Sequence, residues 1–206
     1  MEYTEIIRAG GWETLPGGIR SLHGARITVL GTGDIGTEFA RRAQAFHPAC
    51  ITGVRRTVRS SDPAFTSIHA IAELDSVLPE TDILVMAMPS TAETVGILSR
   101  ERIALLPDSA FVVNVGRGTA IDQEALCDAL NAGRLAGAAL DVVVPEPLPA
   151  DHPLRRAKNL LLTPHVAGNM TLGYTCDKSV QMFCDDLENY AAGRPLAHLV
   201  DRKRGY

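Results

Sequence analysis

The sequence predicts an α/β protein: a doubly wound parallel sheet in three α/β/α layers. Three observations carry this. Short apolar runs recur along the chain, helix-like segments alternate with them, and a glycine triplet stands directly after the first run. Runs that are apolar throughout, with no alternation, suit strands covered on both faces, because neither face meets water. Strand-like and helix-like segments in strict turn build such a sheet with crossover helices.

Taken in order, the strand candidates are "RITVL" (26–30), "ACITGV" (49–54), "DILVMAM" (82–88), "AFVVNV" (110–115), "LAGAALDVVV" (135–144) and "NLLLTP" (159–164). Between them, "IGTEFARRAQAF" reads as a helix. "DQEALCDALNAG" reads as another, opening on an acidic cap and closing near Gly133. From Met170 to about Ala192 runs a long final helix candidate with Met182, Phe183, Leu187 and Tyr190 among charged residues. The 206 residues make one large domain or one and a half. There is no internal repeat and no low-complexity tract.

Composition narrows the function classes. An apolar share of 46% with 21% charged residues is that of a globular protein with a proper core. A formal charge of −4 provides no positive field for phosphate backbones, which argues against nucleic acid as a partner. The basic tail "DRKRG" reads as a solvated end. Cys50, Cys127, Cys176 and Cys184 form no C-x-x-C pair and match no zinc spacing, so they read as thiols in a reducing cytosol and no metal is expected. No leader-like apolar region opens the chain, and no segment approaches a membrane span, so the expected location is cytoplasmic and no membrane partner is expected.

The stretch "ITVLGTGDIGTEF" carries the first functional signal. Gly31, Gly33 and Gly36 follow a strand and open a helix, as a dinucleotide-binding fingerprint requires: one glycine for the turn, one for close approach of pyrophosphate, one for helix packing. Backbone N–H groups and the positive helix end then face the phosphates. The rival reading is a tight turn that only packs the helix on the sheet. At the end of the second strand, where a carboxylate would hold the ribose 2′-hydroxyl of NAD, stand Arg55 and Arg56, with Arg59 beyond. A guanidinium grips a 2′-phosphate instead, which predicts preference for NADP over NAD. The alternative for these arginines is a solvated loop.

Downstream, "NVGRG" (114–118), "ALDVVVPEPLP" (139–149) and "LLTPHVAG" (161–168) occur in one order. With the glycine loop and "MAMPSTAETVGIL", they make the chain resemble the D-isomer-specific 2-hydroxyacid dehydrogenases over nearly its whole length. The resemblance implies a Rossmann NAD(P)-binding domain over 26–168, an interlobe helix and arm over 1–25, and a C-terminal helix and tail over 169–206. It implies hydride transfer between NAD(P)H and a 2-oxo or D-2-hydroxy acid, with Arg117, Glu146 and His165 as the catalytic set. Arginine suits a 2-oxo acid because its fork holds the carboxylate and polarises the carbonyl. Imidazole titrates near neutrality and exchanges a proton with the developing alkoxide. A carboxylate on its other ring nitrogen fixes the tautomer and favours the charged form. Singly, each of the three would read as a surface or turn residue; together they stand at the carboxyl ends of predicted strands, where ligands bind in open α/β sheets.

The resemblance also implies a cofactor-binding set of Gly31, Gly33, Asp34, Ile35, Gly36, Arg55, Arg56, Met88, Pro89, Val115, Asp141, His165 and Gly168. Asp141 matches a residue at the nicotinamide carboxamide, or is a strand-end cap. Pro89 matches a segment near the nicotinamide ribose, or is a turn proline. His23, His47, His69, His152 and His198 sit in no motif.

The chain departs from these relatives in two places. They carry a first lobe of roughly a hundred residues before the fingerprint, whereas 30 residues precede Gly31 here. That leaves two expectations: an NADP-dependent dehydrogenase whose second cleft wall comes from elsewhere, or a weak or silent dinucleotide-binding, dimerising module. Arg155 follows "HPL" where many relatives have tryptophan. The opening segment resembles an arm of the family's dimers, so a homodimer is expected, with Trp12, Ile6 and Ile7 across the interface or capping the domain's own core.

Overall fold

In a computed structural model, residues 2–14, 20–58, 61–168 and 172–200 are described. The basic tail, Arg59 and Met170 lie outside them. The strands are β1 (Arg26–Leu30), β2 (Cys50–Arg55), β3 (Ser67–Ala70), β4 (Ile83–Met86), β5 (Phe111–Asn114), β6 (Gly137–Leu140) and β7 (Leu160–Leu162). The helices are α1 (Glu2–Arg8), α2 (Asp34–Ala43), α3 (Leu74–Val77), α4 (Arg100–Leu105), α5 (Gln123–Asn131) and α6 (Gly173–Ala191).

All seven strands join one sheet in the order β3-β2-β1-β4-β5-β6-β7, and every pairing is parallel. The order reverses at β1, which pairs β2 on one side and β4 on the other. Such a switch point opens a crevice at the carboxyl ends of the strands.

The apolar runs split by pleat between two cores. On one face Ile27, Val29, Ile51 and Val85 pack with Ala40 and Ala43 of α2. On the other, Leu30, Leu84, Met86, Val112 and Leu140 pack with Ile103 of α4 and with Leu126 and Leu130 of α5. Helix α5 begins where Asp122 accepts the Ala125 N–H at 2.9 Å and ends at Gly133, whose φ of +71° is open to glycine at little cost.

Two features differ from the sequence expectation. Edge strand β3 was not signalled, because "SIHA" is half-exposed along its whole length and pairs only β2, so continuous apolar character is not required of it. The run 135–144 supplies only four strand residues, and its remainder forms the loop after β6. At the chain's two described ends the helices stand off the core. Neither α1 nor α6 has a buried residue among those described, and Trp12 is 91% exposed, so it does not cap the domain's own core.

One buried polar contact pins β1 to the segment before β4. The hydroxyls of Thr28 and Thr81 lie 2.7 Å apart, and Thr81 donates to the Val77 carbonyl at 3.0 Å, so Thr28 is the donor between them. Thr81→Val removes the only hydrogen-bond partner of the Thr28 hydroxyl among the described residues, a loss that costs about 1–3 kcal/mol when the group is buried. Urea unfolding of Thr81→Val, and of the double variant Thr28→Val with Thr81→Val, checks this: the double variant should recover much of the loss.

Candidate active site

The glycine triplet meets three different environments. Gly31 has φ +95°, and a Cβ there would lie 2.7 Å from the Ala87 carbonyl oxygen, so only glycine lets β1 pass the end of β4 this closely. Around Gly33 nothing lies within 4 Å of a Cβ position, which leaves the backbone amides at the start of α2 open to a ligand. A Cβ on Gly36 would run into the Gly31 carbonyl, so this glycine seats α2 against the turn. These are the three demands of a dinucleotide loop: Gly31 and Gly36 answer two of them by close backbone approach, and Gly33 answers the third by leaving open space. Asp34 and Ile35 stand exposed in the first turn of α2.

A crevice follows the switch point, lined by Gly31, Thr32, Arg55, Arg56, Met88 and Pro89 among others. The buried hydroxyl oxygen of Thr32 has no hydrogen-bond partner among the described residues. Arg55 closes β2 and Arg56 follows it, with one guanidinium nitrogen of Arg56 3.6 Å from a Glu93 carboxylate oxygen on the opposite wall. The glycine loop, the arginines and the Met88–Pro89 segment therefore share one cleft. The charge of Glu93 was not anticipated from the sequence; nothing in "TAETVGIL" marks it as facing a residue so far back in the chain.

Along the same rim, the segment after β5 is wedged between its neighbours. Val115 donates to the Met86 carbonyl at 3.0 Å, a Cβ on Gly116 would lie 2.7 Å from the Met88 carbonyl oxygen, and Gly118 abuts the Val143 backbone. Fully buried Asn114 clamps the turn, accepting from the Gly116 N–H at 3.0 Å and donating to the Arg117 carbonyl at 2.9 Å. Arg117 thus stands between the loops after β4 and β6. Its side chain is exposed and donates to the Gly116 carbonyl at 2.7 Å.

His165 and Glu146 are brought together across 19 residues. The His165 Nδ1 lies 2.8 Å from Glu146 Oε2, while Glu146 Oε1 accepts the Val143 N–H at 3.0 Å. The hydrogen bond from His165, and then that from Val143, hold the Glu146 carboxyl below its ordinary value. An ionised carboxylate only accepts, so Nδ1 carries the proton and Nε2 is left for a reacting partner. Both side chains are partly exposed, at 49% and 39%. They share a pocket with Asp141, Thr163, Leu148 and Arg155. Arg117 does not line that pocket.

Asp141 organises the loop that carries the imidazole. It is buried; Oδ1 accepts from the Thr163 hydroxyl at 2.6 Å and the Val166 N–H at 2.9 Å, and Oδ2 from the Ala167 N–H at 2.9 Å. The His165 N–H donates to the Asp141 carbonyl at 2.8 Å, holding His165 at φ +55°, a left-handed conformation that few side chains adopt. Burial pushes the Asp141 carboxyl up, and the three hydrogen bonds outweigh burial and hold it below its usual range. The strand-end cap foreseen as one reading of Asp141 is thus present and engages both oxygens. Gly168, just beyond, is exposed with nothing near its Cβ position. The histidines outside the motifs have local partners: His152 accepts the Leu154 N–H at 3.2 Å, and His69 lies 3.5 Å from Glu73.

A carboxyl depressed in the folded state adds stability that is complete above its unfolded value and lost as pH falls through the folded one. For Asp141 and Glu146 that loss begins near their ordinary values of 3.8 and 4.5 and continues below them. Asp141→Asn places a donor where two N–H groups and a hydroxyl already donate, so it should cost about 1–3 kcal/mol at pH 7. It should also flatten the decline of stability between pH 4 and pH 3, read from urea midpoints at each pH.

The profile of the D-isomer specific 2-hydroxyacid dehydrogenase, NAD binding domain, matches residues 1–167. Glyoxylate/hydroxypyruvate reductase B of Pectobacterium carotovorum is 37% identical over 173 residues, covering 81% of this chain and 52% of that protein. Glyoxylate/hydroxypyruvate reductase A of Klebsiella pneumoniae is 34% identical over 207 residues, covering 100% of this chain and 63% of that protein. This chain therefore spans between about half and about two thirds of these relatives' length. Among solved structures, a D-isomer specific 2-hydroxyacid dehydrogenase from Xanthobacter autotrophicus in complex with NADPH and MES is 32% identical with a TM-score of 0.85, over 100% of this chain and 81% of that one. The NADPH-dependent glyoxylate/hydroxypyruvate reductase of Sinorhizobium meliloti, in complex with NADP and sulfate, is 27% identical with a TM-score of 0.88, over 100% and 64%. With the sheet, the glycine loop and the histidine–glutamate pair, these matches place the chain in the D-isomer specific 2-hydroxyacid dehydrogenase family, through that family's NAD binding domain.

Proposed function

We propose that this chain binds NADP(H) along its carboxyl rim and reduces 2-oxo acids of the glyoxylate and hydroxypyruvate class to D-2-hydroxy acids, with Arg117, Glu146 and His165 as the catalytic set. The observation that carries the reading is the 2.8 Å contact between His165 and Glu146 on the rim that also holds the glycine loop. The cofactor set is the one the sequence suggests: Gly31, Gly33, Asp34, Ile35, Gly36, Arg55, Arg56, Met88, Pro89, Val115, Asp141, His165 and Gly168. The unit over 26–168 is the nucleotide-binding domain, flanked by the 1–25 arm and the 169–206 helix and tail. A cytoplasmic homodimer completes the proposal, supported by the exposed apolar residues Trp12, Ile7, Phe183 and Tyr190. Among the described residues no helix is long and apolar enough to cross a membrane.

When bound, the reduced nicotinamide supplies the hydride to C2 of the substrate. The chain's own groups do the remainder. Arg117 turns its fork to the substrate carboxylate and draws electron density toward the carbonyl oxygen. As the carbon–oxygen π pair moves onto that oxygen, protonated His165 gives it the Nε2 proton, leaving a hydroxyl and a neutral imidazole. Glu146 keeps the ring aligned and stabilises its charged form before the transfer. In the crevice beside the glycine loop, Arg55 and Arg56 would hold the 2′-phosphate, with Arg56 giving up its contact with Glu93.

The exposed position of Arg117, bonded to its neighbour's carbonyl and outside the histidine's pocket, favours a second reading: a module that binds the dinucleotide without turnover. Mixing the full chain with NADPH and glyoxylate or hydroxypyruvate separates the two. The enzyme reading expects turnover that falls about a hundredfold or more in His165→Gln; tight NADPH binding without turnover supports the module. Fluorescence titration should show NADPH binding at least about tenfold tighter than NADH, with the difference lost when Arg55 and Arg56 are both replaced by alanine. Tighter NADH would overturn the cofactor preference.

A further inference from the structure

We infer that Arg155 selects 2-oxo acids bearing a second anionic group at the end remote from the 2-carboxylate. The inference deepens the proposed function and rests on it for the identity of the reacting end.

Arg155 belongs to the short 3-10 turn Pro153–Arg156, whose start is fixed by His152 and whose Leu154 is buried in the core. The turn delivers the Arg155 side chain to the pocket that holds His165 and Glu146. There its Nε donates to the Pro149 carbonyl at 2.8 Å and its Nη2 to the Leu148 carbonyl at 2.5 Å. One edge of the fork is therefore spent on holding the loop that begins at Glu146, and the guanidinium plane is fixed. The other edge, with Nη1, has no hydrogen bond among the described residues.

Carbonyl oxygens orient a guanidinium but leave it positively charged. Elsewhere in the chain, Arg26 pairs with Asp82, Arg100 with Asp128 and Arg102 with Asp75. No carboxylate among the described residues lies within ion-pair distance of Arg155. The carboxylates that share its pocket are already engaged: Asp141 with its own loop, Glu146 with His165 and the Val143 N–H. What remains is a pre-oriented planar donor with an open edge, the arrangement that binds carboxylate or phosphate oxygens in pairs. Arg117, whose side chain likewise donates to a backbone carbonyl, that of Gly116, is the cation proposed for the 2-carboxylate. Arg117 follows β5, and Arg155 stands in the turn before β7 and lines the pocket of His165 and Glu146, so on the proposed function a substrate whose 2-carboxylate is held by Arg117 and whose carbonyl meets His165 has Arg155 available for its remote end.

The shared chemistry is an oxyanion, and oxaloacetate and 3-phosphohydroxypyruvate distinguish a carboxylate from a phosphate source, with 2-oxobutyrate as the comparison whose tail carries no charge. With the full chain and NADPH, kcat/KM for one of the anionic-tailed acids should exceed that for 2-oxobutyrate by about tenfold to a hundredfold, roughly what one charge-assisted pair supplies. Arg155→Gln keeps an amide donor for the loop carbonyls and removes the charge, so the ratio should collapse toward one. Arg155→Lys keeps the charge without the fork and should retain part of it. Thermal melts identify any variant that fails to fold, and a second measurement is independent of turnover. Malonate and acetate are titrated against the wild-type chain and Arg155→Gln, observing the His165 ring protons by NMR. Malonate should shift them at about tenfold lower concentration than acetate, with that advantage absent in Arg155→Gln. Reduction of 2-oxobutyrate or glyoxylate with no anionic-tail preference, or a preference that survives in Arg155→Gln, overturns the role of Arg155 and leaves the proposed function standing. An Arg155-dependent malonate response in a chain that neither binds NADPH nor turns over keeps the anion site and sinks the proposed function. Equal responses to malonate and acetate overturn the anion site.

Discussion

The rim of this domain depends on backbone running against backbone. At the switch point Gly31 lies against the Ala87 carbonyl, farther along Gly116 lies against Met88, and Gly118 abuts Val143. Each contact would be lost to a single Cβ, and each joins the loops after neighbouring strands. Strand pairing fixes the sheet only as far as Leu30, Met86, Asn114 and Leu140. Beyond those residues, the glycine contacts carry the registration onward into the loops. That is why a nucleotide loop, an arginine turn and a glutamate loop from three separate stretches of chain come to lie along one edge.

On this scaffold the charged groups fall into two kinds. Asp141 is buried and accepts three hydrogen bonds that hold the Thr163–Ala167 turn in shape, and those donors outweigh the cost of burying the charge. Glu146 and His165 are partly exposed and leave one imidazole nitrogen uncommitted. The buried carboxylate fixes loop geometry, and the partly exposed one fixes which ring nitrogen of His165 carries the proton. Asp141 and Glu146 are separated by four residues of sequence and differ in what binds their oxygens: loop donors alone for Asp141, a loop N–H and the His165 ring for Glu146.

Much of this was legible in the sequence, for reasons particular to each element. Central strands such as "RITVL" and "AFVVNV" must be apolar on both faces, so the run itself announces them; "SIHA" sits on the edge, meets water, and announces nothing. The glycine triplet was legible because strand and helix flank it; Gly36 meets the Gly31 carbonyl five residues back, while Gly31 meets Ala87 beyond β4, the neighbour of β1 in the sheet. The pairing of His165 with Glu146 was implied by resemblance, and their distance was not, since it depends on how the loops after β6 and β7 close. The opposition of Arg56 and Glu93 and the loop-facing edge of Arg155 were invisible: both are contacts between surface side chains and distant or backbone partners, and neither leaves a periodic or spacing signal.

The exposure of the site limits what this domain achieves through its own walls. Donors and charges aimed at a reacting carbonyl gain most where water is excluded, because the local dielectric sets the strength of every such interaction. The imidazole here is half-exposed, and Arg117 faces solvent. Orientation is supplied by the rim, since the loops are held by backbone contacts that water does not weaken. Electrostatic stabilisation is not supplied to the same degree until a surface covers the cleft. Helices α1 and α6, with no buried residue among those described, carry Ile7, Phe183, Leu187 and Tyr190 outward, and apolar area of that kind gains free energy on being covered. Association through those faces would couple the burial of apolar surface to the drying of the site only if the covering surface also reaches the rim. Positioning and desolvation are therefore separable contributions in this fold: the sheet and its glycines provide the first, and the second requires that His165 be covered.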